Sequence, residues 1–233
     1  MSKWVPSESA PTLYSYKESG NSYKVRLLAA LLDITLDIRE LDFLNDEQHS
    51  PEFLAINPRG EVPTLVHGEH IFTDSSAILT YLAGTRSDPG SEQLPSSYWA
   101  SDVADQAKIV DWLVFAASWV QYGVCTARAI LSFKGLYNGL GTASTEQTLQ
   151  EATIRGHKSL EILDIQLGKA KWLALGRPTI ADVGVFVYVA LAPMGDISLE
   201  KYANVRRWIE DIKRLERFIP IDGLDDPLYR RRT

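Results

Sequence analysis

The chain has 233 residues, 45% hydrophobic and 23% charged, which is ordinary for a globular protein and long enough for two small domains. A net charge of −6 supplies no basic field for nucleic acid or an anionic membrane surface. The single Cys125 excludes an internal disulfide, a Cys-x-x-Cys redox pair and a Cys-rich zinc site.

Thr12 to Tyr16 is a β-rich run, followed by the turn-forming Ser19-Gly20-Asn21-Ser22. From Tyr23, apolar residues at Val25, Leu28, Ala29 and Leu32 keep helical spacing. Thr35 to Phe43 alternates apolar and charged positions and predicts a half-buried strand. A polar loop, Asn45 to Ser50, leads to a short helix from Pro51 to Ile56. Thr64 to His67 and His70 to Thr73 read as strands, with Gly68-Glu69 between them as a type II′ hairpin turn. Asp74 or Ser75 then caps a helix carrying Ile78, Leu79 and Leu82.

Gly84 to Pro95 has the composition of a linker, and beyond it the strand signal all but disappears. Tyr98 to Phe133 is one long helical pattern, with Gly123 as a candidate interruption. The Gly-rich KGLYNGLGTAST fits neither a phosphate loop nor a dinucleotide fingerprint and reads as a connection. Ser144 to Leu167, Thr179 to Ala192 and Tyr202 to Phe218 complete the helices, with Thr179 and Asp182 forming a capping box. Ile180 to Met194 is the most apolar segment; it is too short to span a bilayer, contains Asp182, and predicts a buried helix without a membrane partner. Arg230-Arg231-Arg232 reads as a solvated tail. The lone cysteine, the lack of an Asn-x-Ser/Thr sequon and the lack of a basic, then apolar, N-terminal stretch predict a cytoplasmic protein.

This order of elements, with SGNSYKVRLLAALL, NPRGEVPTLV, DSSAILTYL and RPTIADVGVF at their spacing, resembles the cytosolic glutathione transferases over nearly the whole chain. The resemblance implies a thioredoxin-like α/β domain with a mixed four-stranded sheet in residues 1–86, then an all-α domain in residues 97–233. It implies a cis Pro63 that leaves the backbone of Val62 to pair with the cysteinyl part of glutathione, as an added strand would. Asp74 would meet the γ-glutamyl ammonium, and Ser75 with the helix N-terminus its carboxylate. As structure alone, both residues read as a helix cap. His49, or less well Arg59, matches a basic position for the glycyl carboxylate, although His49 also reads as an exposed loop residue. His67-x-x-His70 flanks a hairpin turn and lacks further ligands, so no metal is expected.

In the family the chemistry belongs to glutathione's own thiol, held as thiolate by a donor in the turn before the first helix. Ser19 matches the Ser-type position, Asn21 before Tyr-Lys-Val an Asn-type position, and Tyr16 a Tyr-type position, expected in that order. Cys-type classes are excluded, because Asn21 and Ser22 occupy their places. Trp112, Phe115, Trp119 and Tyr122 keep i, i+3, i+7, i+10 spacing; as an aromatic wall, one or two would touch a hydrophobic co-substrate, the others being core. Family analogy adds a homodimer in which Asp105 reaches glutathione across the interface. The expected activity is a glutathione transferase acting on a hydrophobic electrophile. A glutathione-dependent peroxidase, or a non-catalytic binding or regulatory protein of the same fold, is the alternative.

Overall fold

Strand β1 (Thr12–Ser15) is the hub of the α/β half in the computed structural model, which describes residues 3–7, 10–85, 98–133 and 145–231. It pairs in parallel with β2 (Asp37–Glu40), and helix α1 (Gly20–Leu31) makes the crossover that such a pair needs. On its other side it pairs antiparallel with β3 (Thr64–His67), which forms a hairpin with β4 (His70–Phe72). The result is a mixed four-stranded sheet in the order β2-β1-β3-β4. Gly68 has φ +58° and Glu69 does not share the positive sign, as the type II′ turn requires.

Strand alternation sends β1 and β3 side chains to two different layers. Leu13 and Leu65 join the main core against α1 and α3 (Ser75–Gly84). Tyr14 and Val66 point the other way, onto Phe53 of the one-turn helix α2 (Pro51–Leu54).

The rest of the described chain has no strand and is mostly helical. Helix α4 (Val103–Phe115) passes through a π-helical stretch (Ala116–Cys125) into α5 (Thr126–Ser132) without a break. This 30-residue run is long and apolar enough, by composition, to cross a membrane; here its buried face packs against α6 (Glu146–Lys169) and α7 (Ile180–Ala190). Gly123 does not interrupt it. A Cβ at Gly123 would lie 2.8 Å from the backbone N of Gly156, so the two glycines let these helices cross backbone to backbone.

Helix α7 is buried along its whole length. Its capping box is present, and Asp182 accepts from the N–H of Thr179 at 2.9 Å and of Leu173 at 3.1 Å, and from Trp208 Nε1 of α8 (Ala203–Lys213) at 2.9 Å. The two halves meet through α1 and α7, and Tyr23 of α1 donates its hydroxyl proton to the Ile219 carbonyl at 2.6 Å.

Two expectations need correction. The strand read from Thr35 to Phe43 is only Asp37–Glu40, because β1 offers four residues to pair with. The terminal arginines are not a solvated tail. Arg230 is bound by the Glu18 carboxylate and lies over the Phe133 ring, and Arg231 donates to Asp196 and to the Met194 carbonyl. Arg232, most of the linker expected at Gly84 to Pro95, and most of the Gly-rich connection lie outside the described residues.

Candidate functional site

A cleft of about 430 Å³ opens where the N-terminus of α1 faces the α4–α5 rod. Its placement follows from a close approach. A Cβ at Gly20 would lie 2.5 Å from Cε1 of Tyr188 on α7, so the first residue of α1 must be glycine for the turn to seat there.

Of the residues expected from sequence, Tyr16, Ser19, Asn21, Val62, Asp74, Ser75 and Tyr122 line this one cleft. Ser19 is the N-cap of α1: its Oγ accepts the Ser22 N–H at 3.2 Å, which leaves its own proton uncommitted. Asn21 does not cap the helix. Its Oδ1 accepts from the Lys24 ammonium at 2.8 Å, and since lysine can only donate, the amide NH₂ is turned away from it and has no acceptor among the described residues. Tyr16 is engaged elsewhere, giving its hydroxyl proton to the Glu18 carboxylate at 2.7 Å. Burial, then that carboxylate, pushes the phenol up to about 12, so it is neutral and its proton is taken.

The Val62–Pro63 peptide is cis, and neither the N–H nor the C=O of Val62 is hydrogen-bonded among the described residues. Asp74 caps α3, with Oδ1 accepting the Ser76 N–H at 2.7 Å. Its second carboxylate oxygen has no such bond. Ser75 is the buried first residue of α3, where backbone N–H groups lack intrahelical acceptors. The cap role and a ligand role for Asp74 are therefore compatible.

Other candidates lie elsewhere. The His49 imidazole packs on Gly60 and bonds Asp46 at 2.7 Å in a separate loop groove. Arg59 is exposed and does not line the cleft. Trp112, Phe115 and Trp119 line a groove between α4 and α6, away from the cleft. Asp105 pairs with Lys108 on its own helix at 2.8 Å. His67 bonds the Tyr81 hydroxyl at 2.8 Å, and among the described residues no three His, Cys, Asp or Glu cluster for a metal.

The sequence reading missed the charges. Lys24 is 4% exposed and lies over the Tyr188 ring, and burial holds its ammonium down at about 8. Arg128, 6% exposed, and Glu18, which pairs with Arg230, line the same cleft. A lysine or arginine inside an otherwise apolar helical run, as in YKVRLL and CTARAIL, was the available signal.

A thioredoxin-like α/β domain followed by an all-helical domain is the class that this fold defines. The chain matches the family descriptions "Glutathione S-transferase, N-terminal domain" over residues 9–84 and "Glutathione S-transferase, C-terminal domain" over residues 109–216. It is 28% identical over 186 residues to glutathione S-transferase 2 of Anopheles gambiae, covering 79% of this chain and 81% of that one. The structure of a possible glutathione S-transferase from Rhodopseudomonas palustris is 32% identical with a TM-score of 0.78, covering 92% of this chain and 98% of that one. Ure2p in complex with glutathione shares the fold, at 21% identity and a TM-score of 0.78 over 91% and 98% of the two chains. The chain belongs to the glutathione S-transferase family.

Proposed function

We propose that this protein is a glutathione transferase that holds glutathione as its thiolate and lets it attack a hydrophobic electrophile. The observation that carries the reading is the gathering of Ser19, Asn21, Val62, Asp74 and Ser75 around one cleft. The unpaired Val62 backbone suits the cysteinyl residue, Asp74 the γ-glutamyl ammonium, and Ser75 with the α3 N-terminus its carboxylate. With His49 engaged by Asp46 outside the cleft, the geometry offers less support for it at the glycyl carboxylate.

A thiol of pKa about 8.5 is only about 3% thiolate at pH 7. Lowering it by about two units requires roughly 2.7 kcal/mol of preference for the anion. One hydrogen bond to a charged group gives about 1.5–3 kcal/mol, and a helix N-terminus adds about 0.3–1. The Ser19 hydroxyl, at the N-cap of α1, combines both, with the Asn21 amide as second donor. The Lys24 ammonium behind Asn21 adds a buried positive charge. The thiolate sulfur then forms a bond to the electrophilic carbon as the leaving group departs with its electron pair. Of the four aromatic residues expected at the co-substrate, Tyr122 is the one that lines this cleft, which supports a role for it against the electrophile.

Titrating the ultraviolet thiolate absorbance of bound glutathione tests the assignment. Ser19→Ala should raise the bound thiol's pKa by about one to two units, and Asn21→Ala by less. A larger shift from Asn21→Ala would make this an asparagine-using member. A binding protein without turnover would use the same contacts, and the likeness to Ure2p, described with glutathione and not as a transferase, favours it as the second reading. Turnover of 1-chloro-2,4-dinitrobenzene or cumene hydroperoxide, against glutathione affinity alone, separates transferase, peroxidase and binding protein.

A further inference from the structure

Arg128 of α5 is a buried cation of the cleft that forms no ion pair among the described residues, the Glu18 carboxylate acting on it only from beyond contact. Its Nε donates to the Met194 sulfur at 3.4 Å and its Nη2 to the Glu18 carbonyl at 3.4 Å, and its guanidinium lies 4.6 Å from the Phe133 ring centroid. A thioether is a weak acceptor, and 3.4 Å lies beyond the ordinary N–H···O range. The carboxylate of Glu18 is already taken by Arg230 and by the Tyr16 hydroxyl. Glu61 and Asp74 line the same cleft, and neither forms an ion pair with Arg128. Only 6% of the residue is exposed, and what it lines is this cavity. Burial lowers its pKa, yet a guanidinium stays protonated.

A buried charge needs a counter-charge, and its fork of donors suits a carboxylate held by two parallel bonds. In the proposed pose glutathione's α-carboxylate has its own place at Ser75 and its cysteinyl backbone at Val62, while its glycyl carboxylate is common to both compounds compared below. Phe133 and Tyr122 supply aromatic surface in the same cleft. We propose that the second-substrate end of the cleft accepts electrophiles that carry a carboxylate, bound by Arg128, with the apolar body against Phe133 and Tyr122. This specificity rests on the transferase reading of the site. With 4-(chloromethyl)benzoate, the thiolate sulfur bonds to the benzylic carbon, the C–Cl bond breaks, and chloride leaves with the electron pair. The thiol proton has gone to solvent.

The test compares S-(4-carboxybenzyl)glutathione with S-benzylglutathione by isothermal titration calorimetry, in the wild type, Arg128→Met and Arg128→Lys. The wild type should bind the carboxylate compound at least tenfold more tightly. Arg128→Met should lose that preference, and Arg128→Lys, which keeps the charge without the fork, should retain part of it. Equal affinities in the wild type, or a preference that survives in Arg128→Met, overturn the proposal. So does a variant that raises the bound thiol's pKa and leaves the preference intact, which would assign Arg128 to the thiolate. Turnover of 4-(chloromethyl)benzoate and its methyl ester is measured in parallel. Preference without turnover of either overturns the transferase reading and leaves the carboxylate subsite standing. Turnover without preference does the reverse.

Discussion

Lys24 shows how one residue couples stability to the chemistry. Buried over Tyr188 and bonded to Asn21, it orients that amide and places an ammonium beside the turn that holds Ser19. Burial lowers its pKa from 10.5 in the unfolded chain to about 8. Below about 8 both states keep the proton, and the cost of burying the charge is constant. Between about 8 and 10.5 the unfolded chain holds a proton that the folded one has released, so stability rises with pH. At 1.36 kcal/mol per unit the whole rise is about 3 kcal/mol. Other groups titrate in this window, so the comparison is with Lys24→Met, measured by urea unfolding near pH 7.5 and near pH 10.5. The wild type should gain about 3 kcal/mol relative to the variant between the two. Parallel pH dependence of the two proteins would place the ammonium in contact with solvent. Asp74→Ala tests another charge of the same cleft. It removes a cap worth about 0.5–2 kcal/mol, and it should also weaken retention on immobilised glutathione. Lost stability with unchanged retention returns Asp74 to a capping role alone.

At the scale of elements, two glycines and one aspartate hold the helical half together. Alanine has the better helix propensity by about 1 kcal/mol, yet Gly123→Ala should destabilise the protein. Its Cβ would meet the Gly156 backbone at 2.8 Å, which cannot turn aside as a side chain can. Overpacking costs about 1–3 kcal/mol, so a net loss of about 1–2 kcal/mol in thermal or urea unfolding is expected. Asp182→Ala should cost more, about 3–5 kcal/mol, because it strands buried donors on Thr179, Leu173 and Trp208 at once. The sequence carried the Thr179–Asp182 cap and the order of helices and strands, since caps and periodicities are local. It carried Ser19, Asn21, Val62, Asp74 and Ser75 into one region for the same reason: turns and helix starts are written in neighbouring residues. Gly123 was misread because a glycine in a helical run signals a break and a close crossing equally well. Arg128 and Arg230 acquired no role from sequence because their partners at Glu18 lie 110 and 212 residues away.

At the scale of the whole molecule, one partly apolar face is left uncovered by the described residues. Trp112, Phe115 and Trp119 line a groove of about 440 Å³ between α4 and α6. Val114 and Ile165 stand beside it, 59% and 62% exposed, and Val103 and Val110 continue one face of α4. Single exposed apolar residues are ordinary, but a groove that gathers three aromatic residues, Val114 and Ile165 with Asp111, Ser118 and Gln166 among them has the mixed lining of an interaction surface. We propose a second copy of the chain as its occupant, the homodimer that the sequence resemblance implies. On that reading the aromatic residues expected from spacing to face a co-substrate face the partner instead, and only Tyr122 remains for the ligand. The protein should then scatter light as a dimer of about 52 kDa, twice the 26.0 kDa chain. Val114→Glu with Ile165→Glu puts charges into the groove and should yield monomers while the helical circular dichroism persists. Asp105→Ala should weaken glutathione binding in the dimer and have no effect in that monomeric variant, because Asp105 lies outside the cleft of its own chain. A wild-type monomer at micromolar concentration would remove Asp105 from the site and leave the groove to some other occupant.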